Sequence, residues 1–436
     1  MRAILLWSGV YLALVLAPLV ALLVGPAPRG AGLAWDFAMA LGFAATSAMG
    51  LQFLLTARFR RASAPFGIDI IYYFHRYMAV VVLTAVGGHY LVIRVINPEL
   101  LDGTKLTDAP GYLTAGRIAT VCLVAIVVTS LWRKRLRIPY DAWRIAHTLL
   151  AVGAFVLAIV HIRAAGRHLN TPMQQVLWGL YSLGWLYLVI HIRVIKPWRM
   201  HTRPWRVAEV RTESLDSHTL VLEPVGHAGL RFRPGQFAWL TLDASPWRMR
   251  EHPFSIASSA EHPERIEFTI KALGDFTRTI GPDALGKSAC LDGPYGVFSV
   301  DRHPAASGFV FIAGGVGIAP IMSMLRTLAE RGDTRPIRLV YCNRRADNVL
   351  FRDEIDALRT RLDLEVTHVI DEPHQAKDAV AGPVSETTLT AALAPETRAF
   401  EHFLCGPKAM SGQVQQALHR LGVPAGRVHF ELFDMA

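Results

Sequence analysis

Residues 72–92 read YYFHRYMAVVVLTAVGGHYLV, and residues 143–164 read WRIAHTLLAVGAFVLAIVHIRA. Both stretches are apolar and long enough to cross a bilayer as a helix. Each carries two histidines 14 positions apart: His75 and His89 in the first, His147 and His161 in the second. Fourteen steps of 100° fall about 40° short of four turns, so the two histidines of a helix face nearly the same way, roughly 21 Å apart along its axis. A single histidine in an apolar helix is usually a polar contact within a bundle. Packing gives no reason for one spacing to recur on two helices. Set side by side, the helices offer two facing His–His pairs, each suited to hold the iron of one b-type haem.

Working outward, six apolar spans are expected at about 4–24, 34–57, 69–93, 114–132, 143–164 and 174–195. The first is kept as a membrane helix rather than a signal peptide, since no convincing cleavage pattern follows it. Mean hydropathy is +0.30, unusual for a soluble chain. The formal charge of +10 on 436 residues lacks the aromatic-studded basic runs of a nucleic-acid binder, and no nucleic-acid partner is expected. The cations lie instead beside the apolar spans. Arg2, Arg58, Arg60, Arg61, Arg133, Lys134, Arg135, Arg137, Arg193, Lys196 and Arg199 fall on one side, against Arg29, Arg94, Lys105, Arg117, Arg163 and Arg167 on the other. That excess puts both termini in the cytoplasm, with the chain multi-pass in an inner (plasma) membrane. The third and fifth spans then run parallel. His75 pairs with His147 on the inner side, and His89 with His161 on the outer side. The four cysteines show no metal or disulfide spacing.

After Lys196 the text changes. KPWRMHTRPW is basic and tryptophan-rich, as an interfacial linker would be. WRVAEV, HTLVLEP, FAWLTL and IEFTIKAL then read as short strands of an antiparallel β-barrel. From about Ser307, GFVFIAGG, IMSMLRTLAE, IRLVYCN and FRDEIDALRTR alternate strand and helix, the pattern of a parallel α/β sheet. The expected parts are a six-helix transmembrane bundle over 1–200, a barrel over 204–302 and a Rossmann-like domain over 306–436.

Three motifs sit at the joints. Arg233-Pro234-Gly235-Gln236-Phe237 precedes His252-Pro253-Phe254-Ser255, and Lys271-Ala272-Leu273-Gly274-Asp275-Phe276-Thr277 follows. Gly314-Gly315-Val316-Gly317-Ile318-Ala319-Pro320 links a strand to a helix, where glycines admit a pyrophosphate and the helix N-terminus favours its charge. Cys405-Gly406-Pro407 ends a short strand, and Gly293-Pro294-Tyr295-Gly296 lies before the α/β part.

These motifs, in this order behind a six-span membrane part, resemble the ferric reductase and NADPH oxidase superfamily, with its ferredoxin-reductase-like FAD and NAD(P)H module. The resemblance covers nearly the whole chain. It implies that His252, Pro253, Phe254, Ser255, Lys271, Gly274, Thr277, Gly293 and Gly296 serve FAD. It implies likewise that Gly314, Gly315, Gly317, Pro320, Cys405, Gly406 and Pro407 serve the nicotinamide nucleotide, and that Cys405, Ser255 and Phe433 stand at the hydride-transfer centre. Arg344 and Arg345 lie where an adenosine 2′-phosphate would, which favours NADPH over NADH.

The expected enzyme passes electrons from cytosolic NAD(P)H through FAD and two haems b, held by His75, His89, His147 and His161, to an acceptor outside. Dioxygen is the first choice, with superoxide as product. A ferric chelate or a periplasmic redox protein are the alternatives. A reading of a different class makes the membrane part a haem-binding anchor or sensor for a soluble flavin reductase. No EF-hand loop is present, so built-in calcium control is not expected.

Overall fold

The computed structural model describes residues 2–24, 32–59, 67–101, 109–166, 169, 171–372 and 379–431, and the chain forms two compact units, Met1–Pro197 and Trp198–Ala436. Arg29, Arg60, Arg61, Lys105, Arg167 and Phe433, all assigned from sequence, lie outside the described residues.

The first unit holds α1 (Arg2–Val24), α2 (Gly32–Thr56), α3 (Ile68–Ile96), α4 (Gly111–Trp132), α5 (Tyr140–Ala165) and α6 (Pro172–Ile190). Among the described residues, five helices, α2 to α6, are long and apolar enough to cross a membrane, and α1 contributes the shorter run Leu5–Pro18. Local chemistry sets their ends. α3 stops at Asn97 because Pro98 cannot continue it. α5 stops at Gly166, whose φ of 65° lets its N–H turn back to the Ile162 carbonyl. α6 starts with a capping box between Thr171 and Gln174, with Pro172 in the first turn. At its far end α6 widens into a π-helical turn, His191–Ile195, before Lys196–His201. Pro197 has no N–H for the Arg193 carbonyl, and the Lys196 N–H reaches back to His191 instead.

Helix α2 packs chiefly on α3, and α4 on α5. Between the two histidine levels of α5, Phe155 is only 2 % exposed and stacks on Trp185 at 4.5 Å, with Phe53 edge-on to both. Glycine at 50 is what admits that ring, since a β-carbon there would lie 2.7 Å from it. The outward faces of α3, α5 and α6 expose Val81, Leu91, Leu149 and Leu183, as lipid-facing surfaces do.

The second unit contains two six-stranded sheets. The first comprises β1 (Trp205–Ser214), β2 (Ser217–Pro224), β3 (Phe237–Leu242), β4 (His252–Ser255), β5 (Ile266–Lys271) and β6 (Ser288–Tyr295), antiparallel in the order β4-β3-β6-β1-β2-β5. It is barrel-like but does not close. A lone bridge between Ile256 and Phe268 brings the end of β4 towards β5. The sequence reading missed β6 and did not count His252–Ser255 as a strand, whereas these residues form edge strand β4. The glycine and proline in DGPY obscured β6.

The second sheet is parallel, in the order β10-β9-β8-β7-β11-β12. Its strands are β7 (Phe309–Gly314), β8 (Ile337–Asn343), β9 (Leu364–Ile370), β10 (Val380–Ala381), β11 (Glu401–Cys405) and β12 (Val428–Glu431). Helices α7 (Ile318–Glu330), α8 (Arg352–Leu358), α9 (Glu386–Ala392) and α10 (Lys408–Arg420) accompany it. Strand β7 is buried along its whole length, as its unbroken apolar text requires of a strand covered on both faces. Chain order reverses between β7 and β11, which opens a crevice at their C-terminal ends, the place where such sheets bind ligands.

Arg326 of α7 ties the two sheets together. Its guanidinium donates to Glu267 of β5 at 2.9 Å, to the Ala257 carbonyl at 2.7 Å, and to both Glu354 oxygens at 2.6 and 2.7 Å. Arg211 and Arg265 reach the same Glu267. Burial pushes the Glu267 carboxyl up, but Arg326, Arg211 and Arg265 outweigh it and hold it below the usual carboxylate range. The stabilisation is therefore complete above the unfolded carboxylate value of about 4.3 and is lost as pH falls through the lower folded value. Glu267→Gln is expected to cost on the order of 3 kcal/mol at neutral pH, chiefly by stranding the largely buried Arg326, and to flatten the acid limb of the stability curve. Denaturant unfolding of both proteins across a pH series checks this; parallel acid limbs would refute it.

Candidate functional site

In the bundle, His75 faces His147 with ring centroids 6.2 Å apart, and His89 faces His161 at 6.4 Å. An iron held between two imidazoles, about 2 Å from each nitrogen and with ring centres about 1 Å further back, separates the centroids by about 6 Å. The residues fit a haem in each pair. The second pair is also oriented. His89 Nδ1 donates to the Ala38 carbonyl of α2 at 2.7 Å, and His161 Nδ1 donates to the Tyr112 carbonyl of α4 at 2.7 Å. A carbonyl only accepts, so each ring carries its proton on Nδ1 and keeps Nε2 as a lone-pair donor for a metal.

Two glycines permit this. A β-carbon at Gly42 would lie 3.0 Å from His89 Nδ1, and one at Gly116 would lie 2.8 Å from His161 Nδ1. Both glycines accept a hydroxyl bond from a threonine four residues on, Thr46 and Thr120. The sequence reading passed over these glycines; the repeated Gly-x-x-x-Thr on α2 and α4 was the available signal. The first pair is held more loosely. His147 Nδ1 lies 3.3 Å from Ser130 Oγ, and among the described residues His75 Nδ1 has no partner. Arg193, beyond α6, donates to Thr148 at 2.6 Å and so brings that helix end beside His147.

In the second unit, the two halves of the flavin motif meet through rings. His252 stacks on Phe276 at 3.8 Å, and Phe254 lies 6.2 Å from the same ring. Thr277 Oγ accepts the N–H groups of Leu273 and Gly274, so its hydroxyl shapes the turn. Lys271 forms an ion pair with Asp216 at 3.1 Å. Ser255 is buried opposite Phe237, whose other neighbour is Tyr295. Gln236 donates to the Gly296 carbonyl at 3.0 Å, and Gly235, at φ 89°, is pressed against Phe298.

The glycine loop and the Cys405 turn pack on each other at the crevice. A β-carbon at Gly317 would lie 2.3 Å from the Cys405 carbonyl oxygen, and one at Gly406 would lie 3.1 Å from Gly314. Gly315 opens a 3-10 turn into α7, whose first turn contains Pro320. Tyr341 beneath donates to the Gly315 carbonyl at 3.3 Å. Cys405 is fully buried; burial, then the neighbouring Glu431 carboxylate, pushes its thiol well above the ordinary value. It therefore stays a neutral thiol at pH 7. Glu431 pairs in register with Cys405 on β12 and lies beside Gly296, which makes it a junction residue that sequence reasoning left without a role. Arg344 and Arg345 are exposed at the end of β8, and both approach the Glu372 carboxylate, at 3.4 and 3.8 Å.

Residues 41–158 match the ferric reductase like transmembrane component, residues 204–299 an FAD-binding domain and residues 311–416 an oxidoreductase NAD-binding domain. The chain belongs to the ferric reductase and NADPH oxidase superfamily. Among curated relatives, the reductase component of propane 2-monooxygenase from Mycolicibacterium goodii is 32% identical over 242 residues, 52% of this chain and 68% of that protein. The corresponding component from Rhodococcus jostii is 30% identical over 52% of this chain and 62% of its own length. A flavohemoprotein of Pseudomonas aeruginosa is 31% identical over 55% of this chain and 60% of its own. The chain thus spans about three fifths to two thirds of these relatives' length. The chain joins a ferric-reductase-like transmembrane part to an FAD-binding domain and an oxidoreductase NAD-binding domain.

The packing of Gly317 on Cys405 makes a prediction. Gly317→Ala forces the loop and the turn apart and is expected to raise the KM for the nicotinamide nucleotide about tenfold in dye reduction. Gly412→Ala, where a β-carbon meets open space, is the control. Equal KM values in the two variants would count against the loop as the nucleotide's seat.

Proposed function

We propose that this chain carries electrons from cytosolic NAD(P)H through FAD and two bis-histidine haems b to dioxygen on the outer side of a plasma membrane, releasing superoxide. The observation that carries the reading is the pair of facing imidazole couples, at 6.2 and 6.4 Å, in one chain with FAD- and NAD-binding domains. When bound, FAD takes the two electrons of a hydride from NAD(P)H, and the haems carry them singly across an apolar layer that hydride cannot cross.

Each part of the chain has a task in this scheme, with functional parts over 1–200, 204–302 and 306–436. His75 and His147 hold the haem nearer the cytoplasmic termini; His89 and His161 hold the outer one. The Ala38 and Tyr112 carbonyls aim the outer ligands, and Gly42 and Gly116 leave room for them. His252, Pro253, Phe254 and Ser255 seat the flavin, with Lys271, Gly274, Thr277, Gly293 and Gly296 around it. Gly314, Gly315, Gly317 and Pro320 receive the pyrophosphate, while Cys405, Gly406 and Pro407 position the nicotinamide. The neutral Cys405 thiol excludes water there rather than acting as a nucleophile. Arg344 and Arg345, already exposed and paired with the Glu372 and Asp347 carboxylates, turn to a 2′-phosphate if NADPH is the donor. Phe433 is assigned by resemblance to the flavin face.

Anaerobic NADPH or NADH, added to purified protein with FAD, is expected to reduce the haem bands; oxygen then reoxidises them with superoxide at catalytic rate. Turnover with a ferric chelate alone would make the chain an iron reductase. His89→Ala or His161→Ala should abolish reduction of the external acceptor and leave dye reduction intact. Unchanged acceptor reduction in those variants would instead support a haem-binding anchor or sensor. A finer version concerns the glycines. Gly116→Val is expected to lower haem per protein by about half or more by displacing His161, whereas Gly87→Val, which meets open space, should not.

A further inference from the structure

At the end of the parallel sheet opposite the glycine loop, three metal-binding side chains from separate segments converge. His303 lies in the segment entering β7, Glu401 opens β11 and His429 belongs to β12. One donor atom from each lies within 4.8 Å of the other two. His429 Nε2 is 2.8 Å from Glu401 Oε2, and His303 Nδ1 is 3.6 Å from the same oxygen. The imidazole centroids lie 4.1 Å apart, with the ring planes tilted by 38°. Strands β7, β11 and β12 run parallel, with Gly314 and Cys405 at their C-terminal ends and Glu401 at the N-terminal end. The cluster is therefore separate from the nucleotide crevice.

We propose that His303, Glu401 and His429 bind a divalent transition-metal ion of the zinc class. Two neutral imidazoles and one carboxylate form a donor set that zinc accepts at about 2.0–2.2 Å, with a fourth position left for water. Tetrahedral ligation sets donors about 3.3 Å apart, so the 2.8 Å pair opens slightly and the 3.6 Å pair closes, both by side-chain rotation. The three side chains are between 15% and 24% exposed, which dries the site yet leaves a way in for the ion. Phe403 supports both rings from beneath, at 5.8 and 5.0 Å. The bound ion clips edge strand β12 to the segment that enters β7. Edge strand β12 ends at Glu431 beside Cys405, so the ion steadies that terminus without touching the nucleotide.

The test uses the full-length FAD-loaded protein in detergent. Equilibrium dialysis against micromolar zinc, with metal counted by mass spectrometry, is expected to leave one tightly held zinc. X-ray absorption at the zinc edge should show a nitrogen and oxygen shell containing two imidazoles and no sulfur. His303→Gln and His429→Gln should each weaken binding about 100-fold or more, beyond the loss typical of an outer-shell partner. Both should keep wild-type FAD content and zinc-free dye reduction. If either loses FAD, Glu401→Gln, which keeps the side chain's size, is read in the same assay. Zinc held equally by wild type and variants, a sulfur-containing shell, or no zinc retained at micromolar concentration would each overturn the proposal.

Discussion

A histidine that gives its Nδ1 proton to a main-chain carbonyl is fixed in tautomer and in direction at once. His89 and His161 are both held this way, by carbonyls of different helices. The bundle follows from that constraint. Each ring must reach a carbonyl on the neighbouring helix, so α2 must lie close to α3 and α4 close to α5. Helices approach that closely only where a side chain is missing, and Gly42 and Gly116 supply the gaps. The two hairpins repeat one solution, and the paired rings result from the repetition.

The second unit solves a similar problem with loops. Two main-chain turns, one from β7 and one from β11, must come together at the mouth of a crevice without filling it. Gly314, Gly317 and Gly406 allow main chain to lie directly on main chain there. Burial keeps the Cys405 thiol neutral at that point, which suits a surface meant to exclude water. Across the unit, Arg326 holds the two sheets with five-donor geometry that lysine could not match. Its partner Glu267 belongs to strand β5 of the first sheet and Glu354 to helix α8 beside the second, so the ion network fixes their relation as well as their stability.

Much of the plan was readable. Six apolar runs became six helices, because a bilayer-length apolar run has few other ways to satisfy its backbone. The α/β part was equally legible from the switch in period. Strand β6 was hidden by its Gly293-Pro294 pair, and Phe433 lies outside the described residues. Lys271 and Thr277 are engaged in an ion pair and a turn, contacts that no motif announces.

Sequence alone determined the spacing of the histidines, the apolar spans and the order of the parts, since these depend on helical period and hydropathy along one chain. Tertiary structure decided which nitrogen of His89 and His161 is left for a metal, and why positions 42, 116 and 317 must be glycine. It also brought His303, Glu401 and His429 together from segments far apart in the chain. Such facts depend on distances between distant residues, and local chemistry carries no record of them.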